Sequence, residues 1–312
     1  MPKAWLAEDL RPDMPLGHAA GLMLAVKWPE VQHYESAART GKVAGIHDMR
    51  VACKRLREAL RVLRPALPRD SRRKLLPVVE ELNDALGEVR DRDVLRQAFK
   101  RMMREDDRLA DLKPLRRSLA KERSAHHRKL LHMLEGLKRS GFGRKYERLM
   151  AELEAMNGDE PTVVGQFAVE AIGDRLQDVM DNLHAITGRY RSSLFHRQRI
   201  RVKKLKYALE PFLPILPAEA DELYGMVSEL QELMGLVHDL DVQREVVADW
   251  VVTYGLSDGL RLTLQQIARR RRDLLAQTRG HVKAMAEQEC EARLQQVLRA
   301  LADQTVARQA AT

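Results

Sequence analysis

Residues 47–57, HDMRVACKRLR, and residues 196–206, HRQRIRVKKLK, are two readings of one pattern. Adding 149 carries His47 onto His196, Arg50 onto Arg199, Lys54 onto Lys203, Arg55 onto Lys204, Leu56 onto Leu205 and Arg57 onto Lys206. The same step carries Pro65 onto Pro214 and Pro68 onto Pro217. A second pair follows in the same order, LNDALGEVRDRDVLR at residues 82–96 and LQELMGLVHDLDVQR at 230–244, now 148 apart. It matches Leu82 with Leu230, Gly87 with Gly235, Asp91 with Asp239, Asp93 with Asp241, Val94 with Val242 and Arg96 with Arg244. The one-residue change of step places a deletion near Pro68 and Pro217. Dense matches in the same order indicate an internal duplication. The turn-forming NGDEP at 157–161 separates the copies. The chain therefore reads as one helical repeat over residues 1–157 and a second over 158–312.

Outward from these blocks the periodicity is helical. Ile46, Met49, Cys53, Leu56, Leu60 and Leu63 fall at the three-to-four spacing of a buried stripe. They predict a helix from about 46 to 64, ended by Pro65 and Pro68. A preceding helix spans about 14–38, with Gly41 and Gly45 interrupting the chain after it. Others cover about 71–104, with Leu75, Val79, Leu82, Leu86 and Val89 inward, then about 112–138 and 143–156. The second half repeats the series from about 163 to 305. Short turns between helices imply a bundle per half, hence an all-α fold. Composition agrees, because 45% hydrophobic residues suffice for a core while 4% aromatics disfavour sheets.

The second helix also carries a row of charge. His47, Arg50, Lys54, Arg57, Arg61 and Arg64 follow the same spacing one position round from the apolar stripe. His196, Arg199, Lys203 and Lys206 repeat the row, and Glu210 ends it. Like charges at i and i+4 cost roughly 0.2–0.5 kcal/mol per pair, so the row needs internal carboxylates or an external polyanion. A plain solvated face is the bland alternative. Fixed spacing without acids in the row, and its recurrence, favour the polyanion. Arginine forks pair bidentately with phosphate, lysines add mobile charge, and the row suits a linear chain of phosphates.

The remaining motifs support binding more than chemistry. Asp91 with Asp93, and Asp239 with Asp241, point in different directions on a helix, which argues against paired catalytic carboxylates. One Asp of each pair is expected to buttress a basic side chain of the stripe helix. Gly87 and Gly235, mid-helix, suggest a close helix crossing. The histidines have basic helical neighbours, which disfavours a metal site. Further cations lie at Arg116, Arg117, Lys121, Arg123, Arg128 and Lys129, and from Arg269 to Arg272. Arg123 is the candidate among them for completing the site. Cys53 and Cys290 form no disulfide framework or metal knuckle. The N-terminal stretch MPKAWLAEDLRPDM lacks a signal-peptide core, and AAGLMLAV at 19–26 is too short to span a bilayer. A cytoplasmic protein with no membrane partner is the resulting expectation.

The two blocks together resemble the CHAD family, the conserved-histidine α-helical domain. The carrying residues are HDMRVACKRLR with LGEVRDRDV, and HRQRIRVKKLKYALEPF with MGLVHDLDV, within a resemblance running from about residue 16 to about 305. It implies two four-helix-like bundles related by a pseudo-twofold axis, with a basic groove that binds inorganic polyphosphate. It implies no catalysis by the domain, and no cofactor or metal is expected. Carried over residue by residue, the ligand-facing candidates are His47, Arg50, Lys54, Arg57, His196, Arg199, Lys203 and Lys206. Arg55, Arg61, Lys204 and Arg123 are additional candidates.

Three function classes compete. Non-enzymatic polyphosphate binding, with polyphosphate granules as the place of action, leads. A nucleic-acid-binding protein is the alternative, since a formal charge of +9 suits both. Single-strand binders stack bases on aromatics, and the nearest to either stripe is Tyr207. An enzyme acting on polyphosphate comes third, for want of a Walker-type loop or a metal-carboxylate constellation.

Overall fold

The computed structural model describes residues 2–156 and 162–311, so the NGDEP joint lies outside the described residues. The helices run in chain order as α1 (Leu16–Arg39), α2 (Val43–Val62), α3 (Arg69–Glu105), α4 (Leu112–Arg139), α5 (Phe142–Glu154), α6 (Val164–Asp181), the short α7 (His184–Thr187), α8 (Ser192–Leu209), α9 (Glu219–Tyr254), α10 (Asp258–Glu287) and α11 (Cys290–Ala310). Among the described residues no strand forms, and a single isolated bridge joins Pro15 to Val163. The fold is all-α. Leaving α7 aside, the order and starting points recur. Adding 149 takes Val43 of α2 to Ser192 of α8, and adding 148 takes Phe142 of α5 to Cys290 of α11.

The apolar stripe of α2 is buried as its spacing demands. Ile46, Met49, Cys53, Leu56, Leu60 and Leu63 are each at most 1% exposed. The helix stops at Val62, and the chain turns through a short 3-10 segment, Arg64–Ala66, before Pro68 opens α3. Gly45 does not interrupt the chain. It lies inside α2, where a Cβ would stand 2.5 Å from the Ala37 carbonyl carbon. Its missing side chain lets α1 and α2 cross closely. The break falls on Gly41 alone, whose φ of 74° is left-handed.

The halves share their interior. The main core runs from Ala7 to Leu301 and draws on helices of both repeats. A second cluster gathers Leu95 and Phe99 of α3, Leu112 and Leu115 of α4, Val247 of α9 and Ile267 of α10. Between these two apolar contacts α2 packs on α8, which sets the two charge rows face to face. A buried polar layer fixes that pairing. Arg55 of α2 donates through Nε to Glu210 at 2.8 Å and through Nη1 to Glu30 of α1 at 2.7 Å, with side chains no more than 5% exposed. Tyr224 of α9 donates to the second Glu210 oxygen at 2.6 Å.

Candidate functional site

The facing rows meet at Arg50, Lys54 and Arg57 of α2 and Arg199 and Lys203 of α8. Lys54 is the centre of the group. Burial, then the charges of Arg50, Lys203, Arg57 and Arg199, lower its pKa to about 7. Lys203 is lowered to about 8 by burial and Arg57, with Arg199 and Arg50 adding to it and Glu58 opposing. Neither ammonium has an acceptor within hydrogen-bonding distance among the described residues.

The two arginines at the heart of the cluster are incompletely satisfied. An Arg50 Nη2 lies 3.7 Å from Asp91 of α3, while its buried Nε meets no acceptor. Arg199 feels Asp239 of α9 as its chief favourable charge, and its Nε is likewise buried without an acceptor. These are residues 149 apart, each opposite the first Asp of a repeated pair. The Arg50 guanidinium rests over Gly87, where a Cβ would stand 3.4 Å from its Nε and Nη2. That glycine makes room for a side chain rather than for a helix backbone, which corrects the crossing inferred from sequence. At Gly235 the nearest contact for a Cβ is Gln231 at 3.9 Å, so no close crossing exists there either.

The second Asp of each pair has a different task. Asp93 accepts from Arg123 of α4 at 2.9 Å, and Asp241 accepts from Arg271 of α10 at 2.9 Å. Arg123 and Arg271 are also 148 apart, an equivalence that the weak match of the fourth helices hid. Arg123 bonds the Gly41 carbonyl as well, at 2.6 Å, so it clamps the turn before α2. It is not a ligand-facing group in this structure.

Other candidates are placed as follows. His47 turns its Nδ1 to Asp48 at 2.8 Å and feels Arg90, which is half-buried beside Arg50, Asp91 and Asp93. His196 stands 5.0 Å, ring to ring, from His238. Burial, then Arg199, then His196 push His238 down to about 4. Arg57 reaches Glu58 at 2.7 Å, and Arg61 bridges Glu58 and Glu80. The row on α2 thus contains one acid that the spacing argument overlooked. Lys204 is exposed, bordering a cleft with Glu58, Arg61 and Asp178. Arg55 is consumed by Glu30 and Glu210, so it holds the halves together and does not face a ligand. Lys206 does not join the cluster. It is 3% exposed, 3.4 Å from Gln231 and over the Tyr224 ring, in the same buried layer as Arg55.

Arg90 is the residue that sequence reasoning missed. It joins Arg50, Asp93, Asp239 and Asp91, and it lines a cleft of about 570 Å³ that continues past Asp239 between α3 and α9. Its position matches His238 in the second repeat, so the comparison of copies passed over it. The cluster therefore sets Arg50, Lys54, Arg57, Arg90, Arg199 and Lys203 against Asp91, Asp239 and Glu58, so cations outnumber carboxylates and both lysines are held below the usual ammonium range. Buried cations without counterions are costly, and a polyanion relieves the cost. No group of three or more His, Cys, Asp or Glu suited to a metal ion occurs among the described residues.

The site is a cluster of cations between paired helices of an all-α fold. The sequence profile of the CHAD domain matches residues 23–248, and the chain belongs to that family. Among solved structures it is similar to the CHAD domain from the plant Ricinus communis, at 20% identity and a TM-score of 0.70, covering 91% of this chain and 97% of that one. It is also similar to PptA from Streptomyces chartreusis, at 15% identity and a TM-score of 0.62, covering 88% and 99%. Comparison with curated proteins gives no match. None of the described helices is long and apolar enough to cross a membrane.

Proposed function

We propose that the protein binds inorganic polyphosphate in the seam between α2 and α8, without catalysing a reaction on it. The observation that carries this reading is the meeting of Arg50, Lys54, Arg57, Arg199 and Lys203, with the buried Nε of both arginines lacking an acceptor. A linear polyanion supplies acceptors at several points along the seam, where one small anion supplies them at one. Polyphosphate has no bases to stack, which fits a seam built of charge. Association with polyphosphate granules in the cytoplasm follows from the same chemistry. The test is a titration of the purified protein with polyphosphate while DNA and RNA compete in excess. Retained polyphosphate binding supports the proposal, and displacement by either nucleic acid at equal phosphate concentration contradicts it. Phosphate release on adding magnesium would contradict the non-enzymatic part alone.

A further inference from the structure

The interiors of the two halves are unequally filled. In the first, Trp28 of α1 packs on Phe142 and Tyr146 of α5, with ring centroids 4.7 and 6.1 Å away. The Tyr146 hydroxyl donates to the Leu24 carbonyl at 2.7 Å. A step of 148 carries these three rings onto Leu176 of α6 and Cys290 and Leu294 of α11. A cavity of about 450 Å³ opens at that place, lined by these three residues among others.

The wall opposite is conserved between the halves in kind. Val202, Leu205 and Leu230 line the cavity, and their counterparts by position are Cys53, Leu56 and Leu82. All six are at most 2% exposed. The second half thus has an apolar wall like that of the first but none of the three rings that cover its counterpart. Apolar cavities of far smaller volume, about 150 Å³, stay dry and take up benzene, and ligand pockets start at roughly 300 Å³. Glu289 and Glu291 lie at the edge of the lining and offer acceptors there. Glu289 holds a left-handed φ of 51°, the only non-glycine positive φ among the described residues, where α10 turns into α11.

We propose that this cavity is a binding site for a planar aromatic molecule of one or two fused rings bearing a single hydrogen-bond donor. The rings of Trp28, Phe142 and Tyr146 show what the equivalent apolar wall accepts, and the Glu289 and Glu291 carboxylates in the lining offer the acceptors for a donor. The site is separate from the cationic seam, and none of the seam cations lines it.

Indole is the probe. Calorimetric titration of the full chain gives saturable binding at one site. Indole slows alkylation of Cys290 by N-ethylmaleimide, followed by peptide mass spectrometry, by about the occupied fraction. Filling the cavity with Leu176→Trp, Cys290→Phe and Leu294→Tyr together abolishes indole binding and raises the melting temperature. Where the triple variant does not fold, Cys290→Phe alone weakens indole by about tenfold or more. No saturable indole binding by the parent chain, or unchanged binding in a folded filled variant, overturns the proposal. Binding of decanoate but not indole also overturns it, in favour of an acyl-chain site.

Discussion

Lys54 carries the strain of the site in one amine. Its pKa of about 7, and that of Lys203 at about 8, lie below the 10.5 of a free lysine. Between these values and 10.5 the unfolded chain holds more protons than the native one. Stability of the free protein therefore rises with pH from about 7 towards 10, and denaturant melts at successive pH values check this. A bound polyanion restores both charges, so binding takes up protons near pH 8. Affinity for polyphosphate falls as pH rises above 7, and calorimetry in buffers of different ionisation enthalpy counts the protons. Lys54→Met removes the uncompensated charge, so it raises the melting temperature of the free protein while weakening polyphosphate. At this scale the sequence was partly legible. Spacing named Arg50, Lys54, Arg57, Arg199 and Lys203, because residues on one helix face share a neighbour. It could not exclude Arg55, because its partner Glu210 lies 155 residues away and only the fold brings it near, nor Lys206, whose burial against Gln231 and Tyr224 of α9 arises only when α8 packs on that helix.

Helix pairing rests on two kinds of contact. Close approach of α1 and α2 depends on Gly45, and Gly45→Val forces a side chain into the Ala37 backbone. About 1–3 kcal/mol of stability is lost by overpacking of this kind, measurable by urea unfolding. The docking of α2 beside the second half depends on Arg55. Arg55→Ala leaves Glu30 and Glu210 buried beside an empty place, a change that costs about 3–5 kcal/mol. Arg55→Met combined with Glu30→Gln recovers part of that stability, since one cation and one carboxylate leave together and Glu210 still faces the buried Lys27 and Lys206. Helix boundaries were legible to within a few residues, because apolar periodicity and proline both act locally. Gly45 was misread because a glycine near a turn and a glycine in a tight crossing look alike until the partner helix is in place.

Across the whole molecule the two halves of the chain form one interior. Their shared core predicts a single cooperative thermal transition, and two separated transitions would contradict it. The recurrence of element order was legible as a numerical offset, whereas the seam arises only when α2 meets α8. Polyphosphate affinity should fall with salt at a log–log slope of about −0.7 per phosphate contacted, by analogy with single-stranded nucleic acids. If one chain occupies both rows, loss of either row removes more than half of the binding, because a polymer tethered at one row is held at high effective concentration near the other. The most direct measurement is the polyphosphate affinity of Arg50→Glu with Lys54→Glu, and of Arg199→Glu with Lys203→Glu. Each is compared with an equal charge change at exposed Arg139 and Arg299, and circular dichroism establishes folding. Each seam variant is predicted to lose most of its affinity while the surface variant keeps most of its own. Equal losses in all three would contradict the seam and leave only nonspecific basicity.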